Sequence, residues 1–259
     1  MSSDQWLVVS GQFLATEDYA GTPITDHCPL TTMKWRSLEE SALEIDLRSL
    51  REILAERKEA IAKYVPVATQ AIHARAVAEL KRQQLAAKIL PVGAKVPDFR
   101  LQDHDGKNIS SSDLLAKGKL VVCFIRGRWC PFCVAQMEAM NVILPDVERA
   151  VATLAAISPQ TVKQSFFMHD QHKLRFPLLS DAGNALARRL GLTYRVSEEQ
   201  QALYQRTFVN LPFINGDESW EVPIPATYVI DRDGTVLYVS ANEDYTERPE
   251  PVKILRALG

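Results

Sequence analysis

The sequence predicts an α/β fold, a central mixed sheet flanked by helices, with an N-terminal helical extension. Three observations lead there. From Lys119 onward, short apolar runs alternate with longer stretches of helical period; Asp233 and Gly234 then join two strand-like runs as a turn; and residues 37–90 carry leucines at helical spacing with no strand-like run among them. With 259 residues, 46% hydrophobic and 24% charged, the chain can bury one sizeable core and still carry an extension.

Residues 1–36 hold a strand-like piece, "WLVV", and turn chemistry, "AGTP" and "DHCPL", without a period that defines an element. From Ser37 the pattern sharpens. "SLEE" reads as a capping box with Ser37 as N-cap and Glu40 three residues on, and Leu43, Leu47, Leu50 and Leu54 form one stripe on a helix of about seven turns that ends before Pro66. A second helical stretch, "VATQAIHARAVAELKRQQLAAKIL", runs to Pro91, so residues 37–90 read as a helical arm. Its stripe can pack on its own domain or form a homodimer, and its charges, Arg48 to Lys58, read as a solvated face.

Residues 91–259 then form the α/β domain. "KLVVCFI" reads as a buried strand, "PFCVAQMEAMNVILPDVERAVA" as a helix, "TLAAIS" as a strand, "TVKQSFFMHDQHK" as a helix, "FPLLS" as a strand and "AGNALARRLGL" as a helix stopped near Gly191. "ATYVIDRDGTVLYVS" closes the series as a hairpin. Between Thr193 and Val222 lies an insert that reads as irregular and long for a connection. Its Tyr204, Phe208, Phe213 and Trp220 either wall a cleft or form a satellite core.

Thirty basic and 32 acidic residues give a formal charge of -2, and no basic stripe interleaved with aromatics is present, which argues against nucleic acid as a partner. No segment approaches the roughly 18 apolar residues of a membrane span, and the start has no basic n-region, so a cytoplasmic location is expected. Four cysteines are too few for a disulfide scaffold.

Only Cys130 and Cys133 are close in sequence, in "GRWCPFC". Pro131 suits the first position of a helix, which makes Cys130 its N-cap. There its sulfur is expected to accept from the amides of Phe132 and Cys133, with the helix dipole favouring a thiolate and Arg126 and Arg128 adding positive charge. Cys133 lies one turn further along the same face, within reach of a mixed disulfide on Cys130. Two structural cysteines is the bland alternative. A structural zinc is another, but its remaining ligands have to come from His27 and Cys28, which are adjacent and lack the usual gap. His169 and His172 share an ordinary amphipathic helix, and Cys123 reads as an inert core thiol.

Residues 91–259 resemble the peroxiredoxin and alkyl hydroperoxide reductase family, which has a thioredoxin-like fold. The match runs through "VGAKVPDFRLQDHDGKNISSSDLLAKGKLVVCFIRGRWCPFC", "AAISPQTV", "FPLLSDAGNALARRLGL" and "ATYVIDRDGTVLYV". The resemblance implies a thiol-dependent antioxidant enzyme without metal or organic cofactor, acting on peroxide or disulfide, with a thioredoxin or glutathione system as reductant. The family signature P-x-x-x-T-x-x-C, laid on this loop, places its proline at Arg126, its threonine at Cys130 and its peroxidatic cysteine at Cys133, so two of three positions differ. The arginine that the family sets before the closing hairpin is here Pro225. "WCPFC" and that proline resemble thioredoxin instead, which implies a cis Pro225 against the dithiol and a substrate surface of Arg126, Arg128, Trp129 and Pro225. Family alignment assigns the attack to Cys133, whereas helix-end electrostatics assign it to Cys130, the thiol expected to be exposed and acidic. A non-catalytic interaction protein working through its helical arm is the competing reading.

Overall fold

The computed structural model describes residues 48–259 and Asp46, and of the earlier residues the backbone of two short strands. These are β1 (Val8–Val9) and β2 (Gln12–Phe13), paired antiparallel. His27, Cys28 and the Ser37–Glu40 capping box lie outside the described residues.

Helix α1 (Leu50–Tyr64) begins well after Ser37. Ser49 is its N-cap, with extended backbone (φ -60°, ψ 147°); its hydroxyl accepts from the Glu52 amide at 3.3 Å and the Glu52 carboxylate accepts from the Ser49 amide at 2.9 Å. The same Ser-x-x-Glu logic therefore operates twelve residues further on, and a single helix from 37 to 65 does not form because Ser49 leaves helical space. Replacing Ser49 with Ala is expected to lower the thermal midpoint by about 2–4 °C, read by circular dichroism.

Helix α2 (Val67–Gln83) follows across Pro66, and a 3-10 turn (Leu85–Ala87) leads to the sheet. Leu50, Ile53 and Leu54 are all 8% exposed or less within the chain itself. Leu50 and Leu54, the described part of the stripe, are thus covered by their own protein and are not available to the homodimer considered above.

The main sheet takes β3 (Arg100–Gln102), β4 (Asn108–Ser110), β5 (Lys119–Phe124), β6 (Ala152–Ser158), β7 (Leu178–Ser180), β10 (Ala226–Ile230) and β11 (Val236–Ala241). Their order is β11-β10-β5-β6-β7-β3-β4, with β5, β6 and β7 parallel and the remaining neighbours antiparallel. Alternation along β5 divides the core: Leu120, Val122 and Phe124 face one layer, Val121, Cys123 and Ile125 the other.

On the Cys123 side pack α1, α4 (Pro131–Val142), α5 (Leu144–Arg149), α6 (Val162–Gln171) and the C-terminal α10 (Pro251–Leu258). The opposite side holds α3 (Ser111–Leu115) and α7 (Ala185–Arg189). The stretch from Pro131 to Ala152, expected as one helix, is two. Pro145 lacks the amide that would bond back to Asn141 and its ring crowds that carbonyl, so the chain bends at Ile143 (ψ 1°) and the Asn141 carbonyl accepts from Arg175 at 2.6 Å instead.

The insert is also organised, not irregular. β8 (Thr193–Arg195) pairs antiparallel with β9 (Glu221–Pro223), tying its ends together, and α8 (Glu198–Arg206) and α9 (Leu211–Asn215) lie between them. Tyr204 and Trp220 are buried, while Phe208 and Phe213 are exposed. Among the described residues no helix is long and apolar enough to cross a membrane.

Candidate active site

Strand β5 delivers the loop Arg126–Trp129 to the start of α4. Gly127 has φ +135°, and a Cβ there would lie 2.9 Å from the Trp129 indole nitrogen, so the loop closes only with glycine at this position. Cys130 is the N-cap, as expected, with Pro131 at the first helical position. The expected bonds to its sulfur do not form. The amides of Cys133 and Val134 instead donate to the Cys130 carbonyl at 3.0 and 3.1 Å, so the first turn closes on backbone oxygen. Nor is Cys130 exposed: it is 1% accessible and Cys133 0%.

The acidity is inverted relative to the helix-end argument. Cys133 Sγ accepts from the Arg126 amide at 3.4 Å and from Arg248 Nη2 at 3.4 Å. Burial opposes its ionisation, but the hydrogen bond from the Cys130 thiol, the charges of Arg248 and Arg126 and the Arg126 amide outweigh it and pull its pKa down to about 5. Burial, its proton donated to Cys133 and the negative charge there all push Cys130 the other way. The pair shares one proton, carried on Cys130. Cys123 is the inert third thiol, pushed up to about 12 by burial, against the opposing effects of the Thr227 hydroxyl and the Arg248 charge.

Arg126 is 1% exposed and, among the described residues, has no carboxylate partner. Its guanidinium lies between the rings of Trp129 (4.5 Å) and Tyr245 (4.2 Å) and donates to the Tyr204 hydroxyl at 2.8 Å, which leaves Nε without a partner. Ring faces and a neighbouring thiolate hold the charge in place of a carboxylate. Burial raises the phenols of Tyr194, Tyr204 and Tyr245, so they stay protonated. His73 of α2 lies 6.0 Å from the rings of both Tyr204 and Tyr245; burial and the Arg126 charge push its imidazole down to about 4, so it is neutral at neutral pH.

Two expected site residues stand elsewhere. The Arg128 guanidinium donates to Gln164 at 3.0 Å and its amide to Gln160 at 3.0 Å, which turns it toward α6 and not toward either sulfur. Pro225 is trans, since no peptide bond among the described residues is cis. It lines a cavity of about 150 Å³ with Thr227, Arg248 and Lys253.

Arg248 is the residue that sequence reasoning missed. It sits in a short connection, "ERPEP", that matches no motif, and reaches Cys133 across 115 positions. Tyr194 and Tyr245 were missed for the same reason. Among the described residues no group of three or more metal-ligating side chains stands together.

Residues 92–239 match the AhpC/TSA family. The chain belongs to this family. Peroxiredoxin Q, chloroplastic, of Sedum lineare is 28% identical over 184 residues, covering 70% of this chain and 86% of that protein. Thiol-disulfide oxidoreductase ResA of Bacillus thuringiensis subsp. konkukian is 25% identical over 162 residues, covering 62% and 76%. Peroxidoxin BcpB from Mycobacterium tuberculosis shares the fold, with TM-score 0.52 at 23% identity over 65% of this chain and 96% of the other. Mycobacterium tuberculosis AhpC does so with TM-score 0.51 at 18% identity over 66% and 92%. The fold is thioredoxin-like and the chain is a thiol oxidoreductase of the peroxiredoxin-like kind.

The inverted acidity has a thermodynamic signature. An unfolded cysteine titrates near about 8.5, so between that value and the folded one the unfolded chain binds the extra proton. Stability conferred by Cys133 is therefore present above about 8.5 and is lost as pH falls through about 5, while the raised Cys130 opposes it only above about 8.5. Urea midpoints of the reduced protein are expected to rise across this window. Those of the oxidised protein, which has neither proton to lose, are expected to lack this rise.

Proposed function

We propose that this chain is a thiol peroxidase in which Cys133 attacks the peroxide and Cys130 resolves. The observation that carries the reading is the Cys133 sulfur accepting from both Arg248 Nη2 and the Arg126 amide, two contacts that favour its thiolate. The Cys133 sulfur attacks one peroxide oxygen: an S–O bond forms, the O–O bond breaks, and the leaving alkoxide takes the Cys130 proton and departs as an alcohol. Cys133 is then a sulfenic acid, two electrons more oxidised, and Cys130 a thiolate. Cys130 attacks the sulfenic sulfur, the S–S bond forms, and hydroxide leaves and is protonated by solvent.

Arg248 supplies the positive charge at the breaking bond that the resemblance sought at position 225. Burial of both sulfurs favours a small oxidant, since a folded protein disulfide has no path to sulfurs 1% and 0% exposed without local opening of the chain. The disulfide returns to dithiol with two electrons and two protons from an external thiol, a thioredoxin or glutathione system, which suits a reducing compartment such as the cytoplasm. The CxxC pair and the relationship to a thiol-disulfide oxidoreductase support disulfide exchange as the second reading.

The test compares hydrogen peroxide consumption with insulin disulfide reduction by the full chain under one reductant. Peroxide consumption well above the reductant's own rate, with insulin reduced no faster than by the reductant alone, is the expected result. Insulin reduction without peroxide turnover overturns it in favour of exchange; neither activity favours the non-catalytic reading.

A further inference from the structure

We infer that Gln136 is a positioning residue that aims the Arg248 guanidinium at Cys133; this rests on the reading of Cys133 as the attacking thiol. Gln136 is 1% exposed and lies on α4 three residues beyond Cys133, hence on a neighbouring part of the same helix face. Both ends of its amide are used. Oε1 accepts from Arg248 Nε at 2.8 Å, and Nε2 donates to Thr227 Oγ1 at 3.0 Å. Thr227 is itself fully buried, stands opposite Cys123 in the β10–β5 ladder, and turns its single hydroxyl proton toward Cys123 Sγ at 3.8 Å. A guanidinium only donates, so the oxygen of the amide must face Arg248, and the hydroxyl whose proton is already placed receives the amide hydrogens.

The rest of Arg248 is bonded to backbone and sulfur. Nη1 donates to the carbonyls of Tyr245 and Glu247, and Nη2 to Cys133. Gln136 is thus the one side-chain oxygen on this guanidinium among the described residues. Its neutrality matters: a carboxylate in that place would hold Arg248 equally well but neutralise the charge that Cys133 uses, whereas an amide fixes direction and leaves the full charge available. A polar pair at 1% and 0% exposure, set among apolar side chains, gains nothing for packing that leucine and valine would not supply.

The test is a pH titration of ultraviolet thiolate absorbance on the full-length reduced chain, with thermal melts alongside. In the unsubstituted protein the first thiolate is expected near about 5. In Gln136→Leu its midpoint is expected to rise by about one pH unit or more, a tenfold loss of proton release. Thr227→Val, which keeps shape and leaves the Arg248 bond intact, is expected to move it upward by less, and it stands as the second variant should Gln136→Leu fail to fold. A lowered melting temperature with the midpoint unmoved in the folded variants assigns Gln136 a structural role and overturns the inference. A first midpoint near about 8.5 in the unsubstituted protein removes the acidic Cys133 itself, and the inference with it.

Discussion

Cys133→Ser is expected to abolish peroxide turnover, and Cys130→Ser to leave the first step intact. The asymmetry follows from where the shared proton resides. With a pKa of about 5, Cys133 is almost wholly thiolate at pH 7. An ordinary cysteine with a pKa of about 8.5 is ionised to about 3% there, so Cys133 holds roughly a 30-fold advantage in reactive form, to which the Arg248 charge already contributes. Cys130, its proton held by burial and by donation to Cys133, has no such advantage. Cys130→Ser keeps a hydroxyl that can donate to the Cys133 sulfur, so it is expected to consume one equivalent of peroxide and stop at the sulfenic acid, trapped by a dimedone adduct at Cys133. Cys133→Ser is expected to give no adduct anywhere. An adduct on Cys130 in that variant reverses the assignment of the two thiols.

Arg248→Met is expected to lower kcat/KM for hydrogen peroxide by about 10²-fold or more, because one change removes both a source of Cys133 acidity and the donor beside the breaking O–O bond. The pH profile separates the two: its acid limb is expected to move above the value near about 5 of the unsubstituted enzyme. Arg248→Lys is expected to fall between. A lysine keeps a point charge near the sulfur but cannot simultaneously hold Gln136, two carbonyls and Cys133, which the planar fork does. Unchanged kinetics in Arg248→Met would leave the Arg126 amide and the Cys130 thiol as sufficient support for the thiolate.

The large-scale fold was legible because its signals are periodic. The run from Lys119 to Phe124 is buried on both faces and reads as a central strand; the Asp233–Gly234 turn closes the hairpin where expected. The start of α1 was less legible, since Ser49 and Glu52 repeat the capping pattern read at Ser37 and Glu40, and it is the burial of Leu50, Ile53 and Leu54 just beyond Ser49 that marks this helix. Pro145 is visible in the sequence, whereas the break it makes at Ile143 shows only in the folded chain. Within the site, Arg126 and Trp129 lie in one loop and Cys130 and Cys133 at the start of the helix it feeds, so they are close by sequence, whereas Arg128, equally close in sequence, turns away to Gln160 and Gln164.

Sequence alone determined that two cysteines would meet at the mouth of a helix beside a mixed α/β sheet, since spacing, a proline and strand–helix alternation are local properties of the chain. Which sulfur carries the charge was decided only by the folded protein. Ionisation of a buried thiol depends on every cation and donor within a few ångströms, and here the decisive ones, Arg248 held by Gln136, arrive from the far end of the sequence and from the middle of a helix that carries no motif.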